Sequence, residues 1–85
     1  MSAREKLLEK ARRSQAGWSA QDVDRLYKAW GFVIKKISSK HTLYEHPAYP
    51  DITAAVTRSS GDISKGYVTD AIDAIEEVIA RSQKP

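Results

Sequence analysis

Phe32-Val33-Ile34-Lys35-Lys36-Ile37-Ser38-Ser39-Lys40-His41-Thr42-Leu43-Tyr44-Glu45-His46-Pro47 is the stretch on which the fold turns. Residues 32–38 are rich in strand formers. Ser39-Lys40 reads as a tight turn, and His41 to Glu45 as the returning strand. On that strand His41, Leu43 and Glu45 share one face, while Thr42 and Tyr44 share the other. The first strand alternates imperfectly. Its buried face therefore stays open at this stage, as does whether Lys35 and Lys36 project together. Pro47 and Pro50 interrupt pairing and bracket a loop. Ile52 to Thr57 then reads as a third short strand, and residues 58–62 as a polar loop.

Helices flank this hairpin. Upstream, Ser19 is a natural N-cap with Asp22 three residues on, and Trp18 and Val23 have the spacing of a hydrophobic staple. Val23, Leu26, Tyr27 and Trp30 fall on one helical face, which assigns Tyr27, Trp30 and the following Phe32 to the core. Gly31 follows as a left-handed terminator. Further upstream, residues 3–14 are good helix formers. Leu7, Leu8 and Ala11 give that helix only a thin apolar stripe, so weak packing or fraying is expected. Downstream, Val68, Ala71, Ile72, Ile75 and Ile79 form the stripe of a last helix, with Asp70, Asp73, Glu76 and Glu77 off it. The order helix, helix, three strands, helix predicts an α+β domain, with a three-stranded antiparallel meander carrying helices on one face.

The 85 residues suffice for one domain. We divide it into an N-terminal helical extension over 1–18 and a compact unit over 19–85. The net charge of +3 is unevenly spread. Residues 1–45 hold ten Lys/Arg against five Asp/Glu, whereas residues 46–85 hold four against six. A basic front half favours an anionic partner on one side only. There is no cysteine, which fits a reducing cytosol. The first residues are charged and helix-prone with no apolar core, unlike a secretory signal. A cytoplasmic location with no membrane contact is the expectation. Two histidines on opposite strand faces suit no metal site, and no glycine-rich phosphate loop or Ser–His–Asp set is present, so no metal and no cofactor is expected.

The residues around the turn carry the chemistry. Histidine takes and gives protons near neutral pH. Lysine supplies fixed positive charge for phosphate. Taken alone, His41 is an exposed strand histidine, and Lys35, Lys36 and Lys40 are solvated or edge-protecting charges. His46 stands before Pro47 on the opposite face and reads as structural. Tyr49, in the proline-bracketed loop, reads as an aromatic covering the core edge, with base stacking as the alternative.

The ordered parts resemble the HicA-type toxins of bacterial HicA–HicB toxin–antitoxin systems over roughly residues 19–80. The resemblance rests on Gly31-Phe32 at a helix end, on the basic strand with Lys35-Lys36, and on Ser39-Lys40-His41, Tyr44 and His46-Pro47. It continues in the strand from Ile52 to Val56 and in Lys65-Gly66 opening an amphipathic helix. It implies a fold similar to double-stranded-RNA-binding domains. It also implies a metal-independent endoribonuclease that cleaves mRNA, and a HicB-like antitoxin as protein partner. The catalytic histidine would be His41. Lys35, Lys36, Ser39, Lys40, Arg58 and Lys65 are the candidates for RNA phosphate. Two departures are visible: residues 1–18 extend beyond the minimal family pattern, and Ser39-Lys40 stands where the family has Gly-Ser, which removes a glycine's conformational freedom before the histidine. The second motivates an alternative, a non-catalytic RNA-binding module of the same fold. A lower-ranked alternative is a winged-helix-like DNA-binding or assembly domain, poorly matched by Asp22 and Asp24 on the second helix.

Overall fold

Reciprocal hydrogen bonds at two helix starts set the helical part of the molecule. In the computed structural model, which describes residues 2–83, the Ser2 hydroxyl accepts from the Glu5 amide while the Glu5 carboxylate accepts from the Ser2 amide. This opens α1 (Ala3–Arg13). Ser19 and Asp22 repeat the arrangement at α2 (Ala20–Ala29). Met1 of the 1–18 segment, and Lys84 and Pro85 of the 19–85 unit, lie outside the described residues.

α2 ends in a Schellman turn. Gly31 donates to the Lys28 carbonyl and Phe32 to the Tyr27 carbonyl, with Gly31 at φ +88°. A side chain at Gly31 would also meet His46 Nε2 at 3.1 Å, so the imidazole would have to shift slightly to admit it. The turn delivers the chain into β1 (Val33–Ile37), β2 (His41–His46) and β3 (Tyr49–Thr57). They form an antiparallel sheet in the order β1-β2-β3. α3 (Lys65–Ser82) follows, capped by the Ser64 hydroxyl, which accepts from the Gly66 amide. The architecture is thus α+β in the order α-α-β-β-β-α, as the sequence predicts.

Two sequence expectations are corrected. The third strand begins at Tyr49 rather than Ile52, and Pro47-Ala48 alone make the hairpin turn. The reason is a register slip. Tyr49 pairs with His46 and Thr53 with Glu45, leaving residues 50–52 without partners. Pro50 lies in that irregular segment, where it takes no donor from the ladder. The second correction concerns α1, which docks firmly. Leu8 and Ala11 are buried, the Trp30 indole donates to the Arg4 carbonyl at 3.0 Å, and Arg12 bonds Glu76 of α3 at 2.9 Å. The stripe is thin but sufficient, because the tryptophan that caps α2 and a carboxylate from α3 supply what α1 lacks.

The core lies between the three helices and the inner face of β2 and β3. Val23, Leu26 and Tyr27 of α2 meet Tyr44, Ile52 and Val56 of the sheet and Val68, Ala71 and Ile75 of α3. The Tyr27 and Tyr44 rings stack at 4.6 Å, and Phe32 meets Tyr27 edge-on at 5.0 Å. α3 runs along β3, whereas no helix packs to any extent on β1. Val33, Ile34 and Ile37 are consequently exposed. Among the described residues no helix is long and apolar enough to cross a membrane.

Candidate functional site

A β-bulge decides which lysines can act together. The pairing of β1 with β2 runs Ile34 to Tyr44 and then Lys36 to Leu43, so Lys35 is an extra residue. Lys36 therefore stands over the Leu43 face of β2. The Lys35 ammonium lies 4.0 Å from the Glu45 carboxylate, on that same face. By strand alternation His41, Leu43 and Glu45 share this side, which the helices leave uncovered. An unbroken strand would have sent one lysine to each face; the bulge sends both to the open one. Among the described residues Lys36 and Lys40 have no ion-pair partner, whereas Lys35 is partly engaged by Glu45.

The hairpin tip holds the histidine from both sides. Ser38 donates its amide to the His41 carbonyl at 2.8 Å. The Ser38 hydroxyl accepts from the His41 amide at 3.0 Å and donates to the His41 carbonyl at 3.1 Å. Arg58, just past β3, then fastens the tip. Its guanidinium donates to the Ser38 carbonyl at 2.7 Å and its amide to the Lys40 carbonyl at 2.9 Å. The backbone of His41 is fixed while its ring is exposed, and among the described residues neither ring nitrogen is hydrogen-bonded. Ser39 sits at the exposed tip, and among the described residues no non-glycine residue has a positive φ. This turn therefore never adopts the conformation for which a glycine at position 39 would be needed.

Of the candidates read from sequence, His41, Lys35, Lys36, Ser39, Lys40 and Arg58 converge on the open face and the tip. Lys65 stands apart. It opens α3 beyond a loop that the Ile63 amide pins to the Trp18 carbonyl, and among the described residues no ion pair or hydrogen bond ties its side chain to the hairpin. His46 lies at the far end of β2. Its Nδ1 accepts from the Ala48 amide at 3.2 Å, and its ring packs edge-on against Phe32 at 5.1 Å. Tyr49 lies 5.3 Å from that ring, with the Arg81 guanidinium 5.7 Å from its own centroid, and so belongs to a packed corner rather than an open loop. Ser38 was missed in the sequence reading. Its signal was a serine at a strand end just before a turn, a position where hydroxyls bond nearby backbone.

Beneath the open face lies an acid-anchored tyrosine. The Tyr44 hydroxyl donates to the Asp24 carboxylate, which also pairs with Lys28 at 3.1 Å. Burial, reinforced by the hydrogen bond to Asp24, pushes the phenol above its ordinary range. It stays protonated and serves as an anchor, not a proton shuttle.

The arrangement joins one free imidazole to two unpaired ammonium groups and a guanidinium. Such a set can accept a proton and hold an anion. Among the described residues no three His, Cys, Asp or Glu side chains converge as metal ligands do. The chain matches no protein-family model, no curated protein and no solved structure.

Proposed function

We propose that the protein is a HicA-like toxin, a metal-independent endoribonuclease acting on mRNA in the cytoplasm and neutralised by a HicB-type antitoxin. The observation that carries the reading is the exposed, unpartnered His41 ring on a face that also bears Lys35 and Lys36, beside a tip bearing Lys40 and Arg58. RNA carries its own nucleophile. His41 takes the proton of a ribose 2′-hydroxyl, and the oxygen attacks the adjacent phosphorus. The bond to the 5′-oxygen breaks, leaving a 2′,3′-cyclic phosphate and a 5′-hydroxyl protonated from solvent. General-base help of this kind is worth about 10²–10⁴-fold. The phosphorane gains negative charge as it forms, so Lys36 and Lys40 stabilise it more than the ground state. Arg58 is already committed to the tip carbonyls. Its role is to hold the loop while adding positive potential.

The test is cleavage of single-stranded RNA by the purified protein in chelator. His41→Ala should lower the rate by about 10²–10⁴-fold while leaving the unfolding midpoint in place, since the ring touches no core residue. Equal cutting by the two proteins would overturn the assignment.

Lys40 supports the second reading, an RNA-binding module without cleavage, because an added ammonium strengthens phosphate contact whether or not a bond is broken. That reading expects binding that weakens with salt by a log–log slope of about −0.7 per phosphate contacted, and no cleavage products. The winged-helix reading has little support. α2 commits Val23, Leu26 and Tyr27 to the core, Asp22 to the Ser19 cap and Asp24 to the Tyr44 hydroxyl, which leaves a poor base-reading face.

A further inference from the structure

We propose that the free edge of β1 is a strand-addition site for an extended protein segment that alternates acidic with β-branched apolar residues. β1 lies at the margin of the sheet with nothing paired to its outer side. The Ser38 amide turns inward to the His41 carbonyl, so strand alternation turns the Ile37 amide outward, free to bond a new strand. The two faces along this edge differ in kind. Lys35 and Lys36 stand on the upper face. Ile34 and Ile37 stand on the lower one, exposed and without a helix to support them, while Val33, opposite Glu45, is exposed on the upper face at the start of the strand. A strand laid alongside has side chains on both faces. Its upper residues meet ammonium groups and its lower ones meet isoleucine, so acid alternating with valine or isoleucine satisfies both.

The charge pattern selects this occupant. A second copy pairing through β1 would set lysine against lysine on the upper face, which is destabilising. Lysines and a bulge are also the devices that keep like edges apart. An acidic strand turns the same lysines into contacts and gains steering from them. A polynucleotide would match the lysines but has no amides to extend the ladder, and it would leave Ile34 and Ile37 in water. The site stands independently of any cleavage at His41.

The experiment follows the amide spectrum of the isotope-labelled full chain during titration, at low salt, with a short end-capped synthetic peptide alternating valine and glutamate. A valine–lysine peptide is the control. The expected result is slowed exchange of the Ile37 amide and shifts confined to β1 and its neighbours. The lysine peptide should bind at least about tenfold more weakly. Ile37→Pro removes the outward donor without removing a bond to β2, and should weaken the glutamate peptide by about fivefold or more. Ile37→Thr keeps a strand former, so it tests the apolar face should the proline variant fail to fold; it should weaken the peptide at least about threefold. Equal binding of the two peptides overturns the proposal, as do shifts centred on α3 or no shift at millimolar peptide. Dimerisation of the free protein through β1, or protection of the Ile37 amide by single-stranded RNA instead of the peptide, assigns the edge to another occupant and equally overturns it.

Discussion

Under β2 and β3 the sheet rests on α2 and α3, and Tyr44, Ile52 and Val56 are buried there. Under β1 no helix of the described residues packs to any extent, and all five strand residues are exposed. The two regions draw on similar strand-forming residues, so composition does not separate them; the reach of the helices does. Where side chains have a core to fill, they are held by packing and are unavailable to a partner. Where they have none, the backbone is held by hydrogen bonds at the tip, and imidazole, ammonium and apolar groups are left facing outward. The candidate lysines of β1 therefore sit on the strand that the helices do not cover, and His41 joins them from the adjoining end of β2.

Substituting the same residue type in the two regions exposes this difference most strongly. Ile75 is wholly buried in α3, whereas Ile37 is 56 % exposed in β1. Ile75→Ala leaves a cavity among Leu26, Tyr27 and their neighbours and should cost about 2–5 kcal/mol in urea unfolding. Ile37→Ala should shift stability by no more than about 0.5 kcal/mol. Comparable costs at the two positions would mean that β1 is covered in solution, which breaks the contrast.

The next effect sits where the two regions meet. Tyr44→Phe keeps the stacking on Tyr27 but strips the Asp24 carboxylate of its phenolic donor, leaving only Lys28. Hydrogen bonds to charged groups contribute about 1.5–3 kcal/mol, and a loss toward the lower end is expected because Asp24 is only partly buried. Asp24→Asn should recover less than the full difference in the Tyr44→Phe background, a coupling that a double-mutant cycle reads directly.

Local signals were legible in the sequence. Ser19, Asp22, Trp18 and Gly31 mark the two ends of α2 through chemistry that acts within a few residues, and the apolar stripe of α3 fixes its buried side. The bulge was not legible, because it depends on the register between Lys36 and Leu43, a relation between two strands rather than a property of either. Nor was the strand start at Tyr49, since Pro50 forbids regular pairing and only the register slip makes room for it. The Arg58 latch spans twenty residues from Ser38 and carries no periodicity. His41 and the nearby lysines were named from sequence, but that Lys35 and Lys36 share a face was supplied by pairing alone.

Helix capping gives a smaller and pH-dependent effect on the buried side of the comparison. Ser19→Ala should cost about 1 kcal/mol at neutral pH. The Ser19 amide, with its hydroxyl and Arg25 in support, holds the Asp22 carboxyl below its ordinary range. A depressed carboxyl contributes stability that is complete above its unfolded value, about 3.9, and is lost as pH falls through the lower folded value. Asp22→Asn should therefore destabilise at neutral pH and cost progressively less in acid. A variant equally destabilised at both ends of that window would remove the carboxylate from the cap.

Tyr27→Phe has the smallest expected effect and the opposite sign. Its hydroxyl is buried, and among the described residues it has no hydrogen-bond partner. Burial pushes this phenol, too, far above its ordinary range, so it stays neutral and unsatisfied. An orphaned buried donor costs about 1–3 kcal/mol, part of which its removal returns, against a small loss of contact. The variant should be neutral or stabilised by up to about 1 kcal/mol, while Tyr44→Phe, one stacked ring away, is destabilised. The pair isolates what the sheet's inner face asks of a tyrosine: a ring at both positions, and a hydroxyl only where Asp24 waits for it. Were Tyr27→Phe to destabilise as much as Tyr44→Phe, a water or a shifted Asp70 would have to be bonding that hydroxyl, and the core beneath β2 would be less dry than its packing implies.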